Sequence, residues 1–143
     1  MSPWGSRACA WKTWCWSAVE PMPEEGHWPE AWGDFGLPGY PEEDCREIAR
    51  RAAAVYGGPY REEFAAACRD FYLYRYLHWR SGWPEGVLLG DYYFSLFSQQ
   101  LIPLDSVALT EAFSDYLADN TAAPLCLEDY LEFMEQLKGV MEL

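Results

Sequence analysis

An all-α fold of about five helices is what this sequence predicts, on three observations. Apolar residues recur at spacings of three and four from residue 41 onward, and residues that open or stop helices frame each such run. No stretch alternates apolar and polar residues with the period of a strand. Residues 41–143 therefore read as one helical domain, a length well within the usual size of a single folding unit. Residues 1–40 read as an irregular arm.

The arm differs in character from the rest of the chain. Six of the eight Trp lie in its first 32 positions, interrupted by Pro3, Pro21, Pro23, Pro29 and Pro38 and by five glycines, so no period survives. Two readings of its first part stay open. Either residues 1–21 are translated leader ahead of a start at Met22 and do not belong to the native protein, or they form an extended aromatic arm that packs on the body or on a partner.

The first helix is expected in PEEDCREIARRAAAVYGG, residues 41–58. Pro41 occupies a first-turn position, acids come directly after it, arginines come later, and Gly57-Gly58 stops it. PYREEFAAACRDFYLYRYLHWRSG repeats the plan from Pro59 to Ser81-Gly82, with Phe64, Ala67, Cys68, Phe71, Tyr74 and Leu77 on one face. Its other face is only partly polar, because Tyr72 and Tyr76 stand there beside Arg69, Arg75 and Arg80.

The third helix, WPEGVLLGDYYFSLFSQQLIP, opens at Pro84 and stops at Pro103. Val87, Leu88, Leu89, Tyr92, Tyr93, Phe94, Leu96, Phe97, Leu101 and Ile102 cover nearly its whole circumference, which predicts a helix buried centrally or shared with a second chain. Asp91 falls in the middle of this apolar coat. A carboxylate buried there needs a donor: either a hydrogen bond or ion pair that fixes helix register, for which the second helix's arginines are candidates, or a direct role toward a substrate.

Two amphipathic helices complete the set. The fourth starts at Asp105 or Ser106, sets Leu109, Ala112, Phe113, Tyr116 and Leu117 inward, and ends at Asn120. The fifth, from Leu127, carries Tyr130, Leu131, Met134, Leu137 and Met141 on its inner stripe, the methionines reading as core filler.

Composition bounds the function. Half of the 143 residues are apolar and 17% are aromatic, so a packed core is expected. Eight Trp, ten Tyr and seven Phe exceed what so small a domain readily hides, which predicts that some face another molecule. The net charge of −13 argues against a nucleic-acid partner, since phosphates call for clustered Lys and Arg. Residues 104–143 alone carry nine acidic groups against one basic.

Cys9, Cys15, Cys45, Cys68 and Cys126 are odd in number and lack any CxxC pair, which favours reduced thiols and a cytoplasmic protein over a disulfide framework or a zinc site. No apolar run approaches the ~18 residues needed to span a membrane, and no signal-peptide pattern opens the chain. Nor does the sequence hold a GxSxG, P-loop, GxGxxG or HExxH motif, so no catalytic residue, metal ligand or cofactor is assigned to it. Acidic groups such as Glu42-Glu43-Asp44 and Glu62-Glu63 belong to helix first turns, where the dipole accounts for them.

The stretch GVLLGDYYFSLFSQQL resembles the Gly-Asp-Tyr helix of trans-polyprenyl diphosphate synthases, with Gly90, Asp91, Tyr92 and Phe94 at the matching positions. In that family the helix comes after the one bearing the first aspartate-rich motif and lies at the subunit interface beside the elongation cavity. This chain has no Asp-Asp pair anywhere, and FYLYRYLHWRSGWPEG stands where an aspartate-rich helix would. The resemblance, which covers residues 59–119, therefore points to the noncatalytic small subunit of the heterodimeric hexaprenyl and heptaprenyl enzymes that supply menaquinone side chains. It implies part of the isoprenoid synthase fold and a catalytic large subunit as partner, with magnesium held there. It also implies that Gly90, Asp91, Tyr92, Tyr93, Phe94, Leu96, Phe97 and Leu101 serve the interface or set chain length, in contact with the isoprenoid tail.

Two rival readings remain. One is a helical adaptor unrelated to isoprenoids, whose acidic C-terminal helices meet a basic protein. The other is a small enzyme using Asp91 and His78 as acid and base, which requires the two to meet in a polar pocket.

Overall fold

The computed structural model describes Trp32, Leu37 and residues 39–80 and 84–141. The readings that fall on residues 1–31, including the leader or aromatic arm, lie outside the described residues. What is described is all-helical: α1 (Glu42–Val55), α2 (Arg61–Arg80), α3 (Pro84–Leu101), a 3₁₀ turn (Ile102–Leu104), α4 (Val107–Asn120) and α5 (Leu127–Met141).

Local chemistry sets the boundaries. Pro41 sits just before α1, with Glu42, Glu43 and Asp44 in the first turn. Beyond Val55 the chain extends at Tyr56, whose ring folds back so that its hydroxyl donates to Pro59 O at 2.7 Å. A Cβ at Gly58 would lie 2.7 Å from the Tyr56 hydroxyl oxygen, so a larger residue there would push the ring aside. Helix α2 begins at Arg61, two residues later than Pro59 suggested. Leu101 ends α3, the 3₁₀ turn containing Pro103 comes next, and Asp105 takes a left-handed backbone (φ 47°). Ser106 then caps α4, its hydroxyl accepting from Leu109 N at 3.1 Å.

The closely packed helix pairs are α3 with α2, α2 with α1, α1 with α5, and α5 with α4. Taken in that order they form a ring left open between α3 and α4. Phe71 of α2 is the hub, its ring 5.0 Å from Phe97 of α3 and from Phe113 of α4, and 6.1 Å from Tyr130 of α5. Such offset and edge contacts are worth about 0.5–1.5 kcal/mol each beyond area burial. Most of the aromatic excess in the described residues is therefore spent inside this chain. Phe64, Phe71, Tyr72, Tyr93, Phe97, Phe113, Tyr130 and Phe133 are all buried, while Tyr60 and Trp79 are exposed.

The central helix is α2, not α3. Its buried residues run right around it and include Asp70, fully buried, and Arg75, 7% exposed. Hydropathy underrates such a helix because its polar groups are satisfied on the spot. Arg69 donates to Asp70 Oδ1 at 2.9 Å, Tyr72 donates to Asp44 Oδ2 at 2.7 Å, and Arg75 donates to Asn120 O at 2.7 Å. By contrast α3 buries one stripe, Gly86, Leu89, Gly90, Tyr93, Phe97 and Leu101, and leaves Val87, Leu88, Tyr92, Phe94 and Leu96 half-buried.

A second, smaller core lies on the far side of α2. Trp32 is buried there against Leu73, Leu77, Leu89 and Tyr93, and its indole N–H donates to the Tyr93 hydroxyl at 3.1 Å. One tryptophan of the irregular arm thus belongs to the packed body.

Candidate functional site

Where the ring is open, α3 and α4 bound an apolar groove of about 510 Å³. Its floor is Phe71, Phe94, Phe97, Leu101, Phe113 and Leu117. Aromatic side chains this large hold helices apart, since interhelix distance depends on the size of the residues at the contact. Phe97 and Phe113, with ring centroids 4.9 Å apart, close the bottom and leave the top open. At the rim stand Ile102, 73% exposed, and Val107, 74% exposed, two β-branched residues facing solvent on either side of the Asp105 turn. The remaining rim is polar: Ser98, Ser106, Thr110, Glu111 and Ser114.

The eight residues of α3 singled out by resemblance divide into three groups. Phe94, Phe97 and Leu101 line the groove. Tyr93 is buried in the Trp32 core, with Tyr92 and Leu96 packed at its edge. Gly90 and Asp91 belong to a contact between α2 and α3. His78 Nε2 lies 3.1 Å from Asp91 Oδ1 and 3.2 Å from Val87 O. Both neighbours are acceptors, so Nε2 carries the hydrogen and donates to them.

The burial expected of Asp91 is corrected. Its side chain is 62% exposed, and its partner on the second helix is His78, not an arginine. A one-residue polar interruption in an apolar helix is placed by rotation about the axis: Asp91 lies off the buried stripe, at the edge of the contact with α2. Its proximity to His78 meets half of the acid–base requirement. The small cavity beside His78, about 110 Å³ and lined by Tyr74, Arg75, Trp79, Leu117 and Thr121, does not include Asp91.

The described thiols are Cys45 and Cys68, both buried, and Cys126, half-buried; all three are free. Burial pushes the Cys45 thiol up to about 11 and that of Cys68 higher still, so neither is an activated nucleophile. Among the described residues no group of three or more His, Cys, Asp and Glu side chains is placed to hold a metal ion, and no helix is long and apolar enough to cross a membrane.

The α4 wall of the groove was not identified from sequence. Val107 carried the missed signal: it falls off the Leu109–Phe113–Tyr116 stripe, an apolar side chain with no inward place to go.

No known family model, curated protein or solved structure matches this chain.

Proposed function

We propose that this chain is a noncatalytic small subunit. It docks through α3 and the adjoining groove on a large subunit that bears the aspartate-rich motifs of a long-chain trans-polyprenyl diphosphate synthase, and it helps set product length. The observation that carries the reading is that Phe94, Phe97 and Leu101, taken from the GVLLGDYYFSLFSQQL stretch, line an open apolar groove with Phe113 and Leu117. Uncovered apolar surface is unfavourable by about 25 cal/mol per Å², so a rim bearing Ile102 and Val107 gains by acquiring a cover. In this reading the partner holds magnesium and both diphosphates, the groove meets the isoprenoid tail or the partner surface around it, and the complex is cytoplasmic.

The test is co-expression with a large subunit of that family, then size exclusion and prenyltransferase assays of each chain alone and together. Activity that appears only in the mixture supports the subunit reading. A large chain fully active alone, with no complex formed, removes it.

A helical adaptor outside isoprenoid metabolism is the second reading, favoured by the contact between His78 and Gly90. That contact accounts for the Gly-Asp pair by packing within this chain. Under it, a partner recovered on the α3–α4 groove brings no prenyl transfer.

A further inference from the structure

The opposite flank of α4 carries a second groove of different chemistry. Between α4 and α5 lies an open cleft of about 440 Å³. Tyr116 and Phe133 stack at its base, ring centroids 4.3 Å apart, and Leu137 and Val140 extend the apolar floor. Exposed carboxylates edge both sides: Asp115 and Asp119, one turn apart on α4, and Asp129 and Glu132, three residues apart on α5.

Several carboxylates elsewhere are paired within the chain. Glu42 pairs with Arg46, Glu47 with Arg50 and Arg51, Asp70 with Arg69, and Glu135 with Arg51. None of the four groove carboxylates has an ion pair among the described residues. Arg75 reaches the Asn120 end, but it donates to the main-chain carbonyls of Asn120 and Ala123. Lys138, the one basic residue of positions 104–143, does not line the cleft. Rows of like charge facing each other across a seam are unfavourable, and the negative end of the α4 dipole beside Asp119 adds to the field. The carboxylates do not converge on a common point where they could share a metal ion. An occupant that answers both rims is therefore extended and cationic, and one that also covers the floor is apolar along one side.

We propose that the α4–α5 cleft is a docking groove for a basic amphipathic helix of a partner protein, its apolar ridge on the half-buried Tyr116 and Val140 and its Lys or Arg residues on the two acidic rims. The proposal is independent of what covers the α3–α4 groove.

The test titrates the full chain with a labelled amphipathic Leu/Lys peptide and with a scrambled peptide of the same composition, read by fluorescence anisotropy. The amphipathic peptide is expected to bind roughly tenfold tighter than the scrambled one, with affinity falling as salt rises. The variant Asp115→Asn/Asp119→Asn/Asp129→Asn/Glu132→Gln should weaken binding roughly tenfold. The charge-matched variant Glu42→Gln/Glu43→Gln/Glu62→Gln/Glu63→Gln should leave binding within about twofold, which separates a site from the pull of net charge. Circular dichroism verifies that both variants fold, and cross-linking of the peptide to the unmodified chain maps contacts to α4 and α5 without any variant. Equal loss in the two variants, equal binding of the scrambled peptide, or cross-links confined to α3 would each overturn the proposal.

Discussion

His78 rests its imidazole on Gly90. A Cβ built at Gly90 would lie 2.4 Å from His78 Cδ2, 2.9 Å from Nε2 and 3.3 Å from the main-chain oxygen of Tyr74. The small residue lets α2 and α3 approach, and the same ring then reaches Val87 O and Asp91. Gly90→Ala alone should destabilise the chain by about 1–3 kcal/mol, the usual cost of overpacking. Placed in a His78→Ala background the same change should cost less, because the ring is gone and only the Tyr74 oxygen at 3.3 Å still crowds the new Cβ. Urea unfolding of the four proteins in this cycle measures the coupling, and additive effects would mean that the ring does not lie on Gly90.

Asp91→Asn is expected to cost less than about 1 kcal/mol, since the pair with His78 is largely exposed and screened by solvent. A loss of several kcal/mol in thermal or urea unfolding would return Asp91 to the buried position that the sequence suggested.

The two groove phenylalanines should separate under mutation. Phe97 is buried and touches Phe71 and Phe113, so Phe97→Ala should cost about 3–5 kcal/mol of stability. Phe94 is half-buried and its truncation should cost less. Phe94→Ala is therefore the clean probe of chain length: with a catalytic partner it should lengthen the product while the complex still forms. An unchanged product spectrum in a stable complex would end the chain-length role.

Tyr93→Phe removes the acceptor of the buried Trp32 N–H and should cost about 1–3 kcal/mol. Trp32→Ala should cost more, about 3–5 kcal/mol, by opening a cavity beside Leu73 and Leu77. Denaturant midpoints for both variants test whether this part of the arm is integral to the body, and no shift in either would detach it.

Stability should fall at alkaline pH. Burial raises the Cys45 thiol from 9.0 to about 11 and holds the Tyr40, Tyr72 and Tyr93 phenols well above their ordinary 10.0. In each case the folded state keeps its proton where the unfolded chain has lost it. The contribution is thus complete below the unfolded value and is lost as pH rises toward the folded one. Unfolding free energy should be flat near neutrality and begin to decline as pH passes 9.0. It should steepen above 10.0, where the phenols lose their protons in the unfolded chain first. Cys45→Ala should lessen the first part of that decline, and the remainder belongs to the buried Cys68 thiol. A stability that stays level through the same range would contradict the burial of these groups.

Helix count, capping and most inward faces were legible because they are local. Ser106, the end of α4 at Asn120 and the inner residues Phe64, Phe71, Leu109, Phe113, Tyr130 and Met134 all stand where spacing put them. The rank order of burial was not legible. Asp70, Tyr72 and Arg75 look like a polar flank in sequence, yet the partners of Tyr72 and Arg75, namely Asp44, Asn120 and Ala123, lie dozens of positions away, and those bonds turn the flank inward. The groove was half legible: Phe94 and Phe97 drew notice as excess apolar surface, while its α4 wall depended on how far Phe97 and Phe113 hold two helices apart.

Arg75 gives the fold a consequence for its modularity. Helix α4 has no basic residue in its last turn, and the carbonyls at its end are met by a guanidinium from α2, which also lies 5.7 Å over the Tyr116 ring. The stop of one helix is thus written in another, 45 positions upstream. A fragment cut at the Asp105 turn would leave α4 frayed and α2 with a stranded charge, so the two halves of the chain should melt as one cooperative unit.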